Sequence, residues 1–291
     1  MDCAVASCLA VLHAGRALRE GIFKDEYLWG SRIQSEGAVA ALERVLAHGA
    51  ASDEALAQFQ ASLQLDIRSA GWVRPIRMER AFWHAVFTGA RLGKTPVAEV
   101  EKNLASKSGG VSNWLRNRVP GFILSSYPAD LKHTTRLVEI AKLPPAEQKR
   151  KIQEWEEASR KFPDLRPGLF RLMLHRTYKT FCTDQGTLRA AMAALACERY
   201  RVRRGRWPDS LDALVQEGLL GAVPTDPIDL QPLRYRPTPD GIVIYSIGLD
   251  GNDDGGHIAR DTGGPGTDNG FRLYEVTRRR LQPAAVPEDG P

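Results

Sequence analysis

Residues 187–204 read TLRAAMAALACERYRVRR, and this stretch decides how the C-terminal third of the chain folds. Alanine, leucine, methionine and arginine favour the helix, and Leu188, Met192 and Leu195 recur at helical spacing on one face. Gly205 follows the last arginine and supplies the left-handed residue that commonly ends a helix. The stretch therefore predicts a long helix with a buried face.

The residues after this helix predict a short helix and then a small sheet. Trp207-Pro208-Asp209-Ser210 is typical of a helix start, and Gly218 is typical of the end of that helix. Two prolines in residues 223–227 exclude a helix there and indicate a fixed, extended loop. Apolar runs between turn residues then predict three strands, at residues 233–236, 242–247 and 271–276.

The sequence upstream of residue 184 predicts helices and no strands. Apolar residues between positions 31 and 48 recur at mixed spacings of three and four, and Ser52-Asp53-Glu54 is typical of the start of a further helix. We therefore expect an α+β fold in which an all-helical N-terminal region is followed by a long helix packed on a small antiparallel sheet. The expected domain bounds are 1–183 for the helical region, 184–278 for the α/β module and 279–291 for a disordered tail.

Composition limits the classes of protein to consider. The net charge of +5 is small for 291 residues, so charge alone does not indicate a nucleic-acid partner. The four cysteines lack the paired spacing of zinc sites. The apolar run at residues 4–12 has no basic residue ahead of it, unlike a secretory signal, and no run is long enough to span a bilayer. Membrane association would therefore require an anchor ahead of Met1.

Recognisable catalytic motifs do not occur in the sequence. It contains no G-x-S-x-G, H-E-x-x-H or G-x-x-x-x-G-K-[ST] pattern. We therefore expect a protein that is not an enzyme, without catalytic residues or an organic cofactor. A hydrolase remains an alternative, in which Asp226, Asp229 or Asp254 acts as a general base or holds a catalytic metal near His257.

Two groups of arginines leave a nucleic-acid-binding alternative open. These are residues 199–206, at the end of the long helix, and residues 278–280. Cations at a helix C-terminus are favourable in themselves, and few aromatic residues lie near these arginines to stack on bases. No specific nucleic acid is expected as a partner.

The second predicted strand runs into YSIGLDGNDDGG, residues 245–256. Asp250, Asn252 and Asp254 alternate there, so a curled backbone can direct three oxygen side chains toward one centre. Hard oxygen ligands of this kind suit calcium. The spacing outlines an EF-hand loop, but a strand precedes it where an EF-hand needs a helix, so an EF-hand is not expected. A solvated Asp/Gly turn is the alternative.

Three consecutive runs together resemble a known family. They are ALACERYRVRRGRWPDSLDALV, GLLGAVPTDPIDLQPLRYR and DGIVIYSIGLDGNDDGG, all within residues 188–256. In this order they resemble the soluble domain of the major pseudopilin of type II secretion. The resemblance implies a pseudopilin-like long helix on a small sheet, followed by a calcium-binding loop. It matches Asp250 to the first aspartate of that loop and Asp268 to a later acidic ligand, whereas Asn252 and Asp254 fit by spacing and chemistry.

The resemblance ends upstream of the long helix. A pseudopilin begins with a hydrophobic helix of about twenty residues that packs the filament, whereas about 180 residues of helical sequence stand there in this chain. Filament assembly by the pilin route is therefore not expected. The whole chain looks similar to large proteins of planctomycete-type bacteria that attach this module to an all-helical region.

These observations lead to one functional expectation. The chain is expected to be a structural or interaction protein with a protein partner and a structural calcium ion held by Asp250, Asn252, Asp254 and Asp268. The resemblance implies an extracytoplasmic or membrane-associated location.

Overall fold

The computed structural model describes residues 1–21, 23–69, 71–94, 122–160, 168–258 and 267–279. Helices precede a small sheet along these residues, and the predicted α+β class is confirmed. The elements are α1 (Asp2–Arg19), α2 (Lys24–Arg32), a π-helical segment (Ile33–Val39), α3 (Ala40–His48), α4 (Asp53–Ser69), α5 (Val73–Arg91), α6 (Phe122–Ile140), α7 (Pro145–Arg160), α8 (Gly168–Arg204), α9 (Leu211–Gln216), β1 (Arg234–Thr238), β2 (Gly241–Ser246), β3 (Asn269–Tyr274) and a 3₁₀ turn (Val276–Arg278).

The three strands form one antiparallel sheet in the order β1-β2-β3. Ile244 in the central strand pairs with Tyr235 on one side and Phe271 on the other. Every residue of β2 is buried, which fits a central strand covered on both faces. The β1–β2 turn requires Gly241, because φ is +154° there and a Cβ would lie 1.9 Å from the Leu273 carbonyl oxygen. The three predicted strands are confirmed to within two residues at each end.

The chain folds into two compact units that do not follow the predicted boundary between residues 183 and 184. The first unit comprises Met1–Arg16, Ser31–Ser69 and Cys182–Pro291, and the second comprises Ala17–Gly30 and Ala70–Phe181. Helices α3 and α4 and most of α1 therefore belong with the sheet rather than with a separate helical region.

Helix α8 explains why the first unit includes N-terminal helices. The six successive residues 193–198 each have 0% of their surface exposed. At 100° per residue they point around the whole helix, so this part of α8 is covered on every side, and a single sheet face cannot do that. The single apolar core around it draws on α1, α3, α4, α9 and the strands, with members that include Leu12, Leu42, Phe59, Leu214, Ile244 and Phe271.

Polar contacts tie the N-terminal helices of this unit to its C-terminal part. The Glu43 carboxylate on α3 accepts the backbone N–H of Arg272 on the edge strand β3, at 3.0 Å. In the π-helical segment, the Ser35 hydroxyl donates to Asp184 Oδ1 on α8 at 2.7 Å. Both Glu43 and Ser35 are buried. Because buried polar groups are costly when unpaired, these contacts fix how the helices and the sheet meet.

A buried ion pair joins Arg279, the residue after the 3₁₀ turn, to α8. Glu198 is fully buried and receives two hydrogen bonds of 2.8 Å from Arg279 and further bonds from Arg201. Burial alone raises the pKa of Glu198, but these hydrogen bonds outweigh it and hold the pKa below its ordinary 4.5. Because the folded pKa is depressed, the stabilisation is present above pH 4.5 and is lost as the pH falls through the folded pKa.

Arg279 corrects the predicted start of the tail. The sequence predicted disorder from residue 279 to residue 291, whereas the Arg279 side chain is 2% exposed and also donates to the Gly49 carbonyl at 3.0 Å. A fully paired, buried arginine belongs to the folded unit. Residues 280–291 lie outside the described residues.

The second unit is helical in its described part and has its own apolar core. Trp72 packs against Tyr178 with ring centroids 4.9 Å apart, and its indole N–H donates to Gln148 at 2.7 Å. Leu137 and Trp155 are buried in the same cluster. No helix in the described residues is both long and apolar enough to cross a membrane.

We expect Arg279→Met to lower the free energy of unfolding by about 2 kcal/mol, because Glu198 keeps Arg201 but loses two charged hydrogen bonds in a buried site. Urea unfolding followed by circular dichroism measures the change. Arg278→Met is the matched control, because Arg278 is exposed and its replacement removes the same positive charge. Equal stability of the two variants would contradict the role given to the buried pair.

We also expect a fragment of residues 184–291 to lack a cooperative unfolding transition on its own. It contains residues 184–204 of α8 and the sheet but omits α1, α3 and α4, which cover this part of α8, so apolar surface of the helix would face water. Differential scanning calorimetry of the fragment and the full chain makes the comparison. A sharp transition of the fragment would support the boundary predicted from sequence.

Candidate metal centre

The loop that follows β2 is held at its base by a buried carboxylate. Asp226 is 0% exposed and accepts hydrogen bonds from the Ser246 hydroxyl at 2.7 Å and the Ile247 backbone N–H at 2.9 Å. It also accepts the Ile228 N–H at 2.7 Å and an N–H of Arg234 at 2.6 Å. The end of β2 and the loop of residues 223–227 are thereby fixed to one another.

Arg234 joins three acidic residues beside the loop. It pairs with Asp226 and Asp229, and its Nε lies 3.7 Å from an Asp253 oxygen. The hydrogen bond with Asp229 is the main cause of a raised Arg234 pKa, with smaller contributions from the charges of Asp226 and Asp253. Asp226 and Asp229 are therefore occupied in structural contacts.

Two aspartates shape the loop through their own backbone. Asp250 Oδ1 accepts the Asn252 N–H at 3.1 Å, and Asp253 Oδ1 accepts the Gly255 N–H at 2.9 Å. Both contacts have the two-residue spacing of an Asx turn. The Tyr245 hydroxyl donates to Asp253 at 3.0 Å. Burial raises the pKa of Tyr245 to about 12, and the hydrogen bond to Asp253 adds to this shift.

Asp268, the residue before β3, closes the loop. It is 2% exposed, and its two carboxylate oxygens accept the backbone N–H groups of Gly248 at 3.2 Å and Gly256 at 2.8 Å. Its own N–H donates to the His257 carbonyl at 2.8 Å. Gly256 has φ of +80°, and a Cβ there would lie 2.9 Å from the Val243 side chain, so glycine is required.

Negative charge accumulates around Asp268. Burial raises its pKa, the charges of Asp253 and Asp254 raise it further, and hydrogen bonds from the Gly256 and Asp254 backbone act in the opposite direction. The net shift is upward from the ordinary 3.8. An acid whose pKa is higher in the folded state destabilises the fold as the pH rises above 3.8 through the folded pKa. A bound cation would remove this penalty.

Asp254 supplies the feature of the loop most directly related to a metal. Its Oδ2 atom is buried and has no hydrogen-bond partner. A buried carboxylate oxygen without a partner is costly, and such atoms are rare in folded proteins. Oxygen ligands are also those that calcium takes. The loop therefore offers calcium oxygen ligands, one of which is a buried carboxylate oxygen without a hydrogen-bond partner.

The structure brings the four predicted ligands together only in part. Asp254 and Asp268 lie close enough for the charge of one to raise the pKa of the other. Asp250 and Asn252 are exposed and share an Asx turn. Gly248 lies close to the Asp250 carboxylate and to a backbone carbonyl. A Cβ added to Gly248 would be 2.3 Å from the Thr267 carbonyl oxygen and 3.1 Å from Asp250 Oδ1.

Acidic side chains alone do not complete a metal site in this loop. No group of three or more His, Cys, Asp or Glu side chains that could hold a metal occurs within the described ranges. A calcium ion would therefore need Asn252 and backbone carbonyls as further ligands. Asp253 was not among the residues predicted from the sequence, although its position two residues before Gly255 is typical of an Asx turn.

The structure also shows where the residues of the two alternative functions, a hydrolase and a nucleic-acid-binding protein, are located. Asp226 and Asp229 pair with Arg234, and His257 is exposed, with its carbonyl bound to Asp268. The helix-terminal arginines form ion pairs within the first unit, in which two of them share Asp53; these pairs are Arg199–Asp53, Arg203–Asp53, Arg201–Glu198, Arg204–Glu217 and Arg206–Asp209. Arg278 is exposed, and Arg280 lies outside the described residues.

No family model, curated protein or solved structure matches the chain. The resemblance to the major pseudopilin therefore stays a prediction.

We expect the carboxyl group of Asp268 to titrate above 3.8, and its pKa to fall when Asp254 is replaced by asparagine, because one neighbouring negative charge is removed. Carbon-detected NMR titration of the aspartate carboxyl groups measures both values. Asp209→Asn, at an exposed position paired with Arg206, is the control and should leave the Asp268 pKa unchanged. An unshifted Asp268 pKa in the Asp254 variant would contradict the predicted coupling.

Proposed function

We propose that the chain is a non-enzymatic structural or interaction protein whose pseudopilin-like C-terminal module holds a structural calcium ion in the loop of residues 248–257. The buried, unpaired Oδ2 of Asp254 carries this proposal. It lies in a loop whose neighbouring carboxylate, Asp268, has a raised pKa because of burial and nearby negative charge. A cation beside the loop would bind the Asp254 oxygen and would also offset the negative charge that raises the Asp268 pKa.

Calcium would stabilise this loop by compensating charge. Asp250, Asn252 and Asp254 would supply oxygen ligands, and Asp268 would contribute its charge while it holds the backbone N–H groups of Gly248 and Gly256. The ion binds the folded loop and has no assembled site in the unfolded chain. Its binding free energy therefore adds to the stability of the fold.

The placement of the other charged groups supports a binding role over catalysis. Asp226, one of the acids considered as a general base, receives four hydrogen bonds and is fully buried. A general base needs a free lone pair within reach of its substrate. We propose a protein as the partner, since the helix-terminal arginines that would contact phosphates form ion pairs with acidic residues.

The test is titration calorimetry of the calcium-free chain with calcium chloride, together with melting curves in calcium and in chelator. We expect a dissociation constant between micromolar and millimolar and, at one hundred times that concentration, a stabilisation of about 2.7 kcal/mol. The double variant Asp250→Asn, Asp254→Asn should lose both effects, because its amides lack the charge that binds the ion.

Asp209→Asn combined with Asp212→Asn is the matched control, since it removes the same charge from two exposed positions outside the loop. This control should bind calcium as the unchanged chain does. If the unchanged chain gives neither heat nor a shift in melting temperature, the loop is a solvated turn. An equal loss in the control and the loop variant would indicate nonspecific binding to acidic residues.

A further inference from the structure

The first unit contains an open cavity of about 330 Å³ between the start of α9 and the residues that lead into β1. This volume lies in the range of small-ligand sites, about 300–1,000 Å³. One wall is apolar and is formed by Val223, Pro232, Leu233 and Tyr235. The Tyr235 hydroxyl donates to the Pro208 carbonyl oxygen at 2.7 Å, which fixes the ring and makes the cavity part of the fold.

The other wall of the cavity is acidic. It carries Asp209, Ser210 and Asp212, at the start of α9. No basic residue in the described part of the chain forms an ion pair with Asp212, whereas Asp209 pairs with Arg206 at 2.9 Å. That pair is exposed, at 59% for Arg206 and 81% for Asp209, so it contributes little to stability. Two carboxylates therefore line the cavity, and a single exposed arginine offsets them.

Negative charge extends to the aromatic part of the apolar wall. Burial raises the pKa of the Tyr235 hydroxyl, and nearby negative groups, Asp209 among them, raise it further. The face of an aromatic ring also attracts positive charge. The cavity therefore combines apolar contact area with an environment that favours a cation.

An arginine side chain matches both walls. Its methylene groups suit the apolar wall, while its planar guanidinium donates to carboxylates and stacks on aromatic rings. Ser210 adds an acceptor, since this N-cap residue makes no side-chain capping bond. A metal ion fits less well, because no group of three or more His, Cys, Asp or Glu side chains that could hold one occurs among the described residues.

We propose that this cavity is a contact site for the protein partner and receives an arginine side chain of that partner. The methylene groups lie against Val223 and Leu233, and the guanidinium donates to Asp212 and Asp209 beside the Tyr235 ring. The inference rests on the proposed role of the chain as an interaction protein. It does not depend on the calcium loop, which none of these residues belongs to.

The test is an NMR titration of the isotope-labelled full chain, in chelator, with N-acetyl-arginine methylamide. This probe presents the side chain without a charged backbone, and we expect millimolar binding, as for other small ligands of one side chain. The citrulline counterpart has the shape of arginine but no charge, so it should bind at least about tenfold more weakly, the ratio expected for one charged hydrogen bond. The lysine counterpart should also bind more weakly, because it lacks the planar donor group.

Two variants separate the acidic wall from the apolar wall. Asp212→Asn should weaken binding of the arginine probe at least about fivefold, because it removes a charged acceptor. Glu157→Gln, at an exposed acid of the second unit, is the matched control and should leave binding unchanged. Val223→Phe keeps every charge but fills the cavity, so it should abolish binding.

A third variant should have the opposite effect. Arg206→Gln removes the cation that competes for Asp209. The arginine probe should then bind about two- to fivefold more tightly, the range expected for one exposed ion pair. Binding that is no tighter would contradict the role given to Asp209.

Three results would overturn the proposal. These are the absence of chemical-shift changes at the cavity residues, equal affinity for the arginine and citrulline probes, and unchanged binding in Asp212→Asn. Equal affinity for the lysine probe would overturn the choice of arginine. A dimer that forms in sedimentation experiments and is lost in Asp212→Asn would assign the cavity to a second copy of the chain and overturn the choice of a different protein.

Circular dichroism and melting temperature establish that each variant is folded. If Val223→Phe does not fold, the preference for arginine over citrulline and the effect of Asp212→Asn still decide the outcome, because Asp212 is exposed. Failure of the arginine probe would remove this site alone. Calcium binding is measured separately, so the two failures are distinguishable.

Discussion

The first unit depends on the need to cover the middle of α8 on every side. Its alanine-rich segment has no exposed face, and small side chains there let neighbouring elements approach closely. A three-stranded sheet can cover only part of a helix. Helices from the first seventy residues supply the remainder, so two distant parts of the chain form one core. The buried contacts from Glu43 to Arg272 and from Arg279 to Gly49 follow from this arrangement.

Local signals in the sequence predicted the end of α8 and the three strands, whereas α8 begins at Gly168, well before the predicted start at residue 187. The end of α8 at Gly205 and the three strands depend on glycine chemistry and periodicity within a few residues. The division into units could not be predicted in this way. Glu43 and Arg272 are 229 residues apart, and nothing around Glu43 distinguishes it from a solvated glutamate on an amphipathic helix. The buried face assigned to α8 from Leu188, Met192 and Leu195 was also too narrow, because alanine indicates burial only weakly.

The candidate site was predictable to a similar extent. Alternation of aspartate and asparagine after a strand located the loop, since oxygen side chains at alternate positions are a local feature. The direction of each carboxylate depends on backbone turns and on neighbours in other elements. Asp253 is directed by Tyr245 and by its own Asx turn, and Asp268 is directed by the N–H groups of Gly248 and Gly256. Spacing alone could not show that both carboxylate oxygens of Asp268 accept hydrogen bonds from backbone N–H groups.

The discontinuity of the first unit has a consequence during synthesis on the ribosome. The second unit ends at residue 181, so its residues have all left the ribosome well before β3 is made. The first unit needs both α1 and β3, and its core remains open until Phe271 and Leu273 emerge. The apolar faces of α1, α3 and α4 can pack on α8 only after residues 193–198 have emerged, and on the sheet only after Phe271 has emerged. Apolar surface that stays exposed during this interval promotes aggregation.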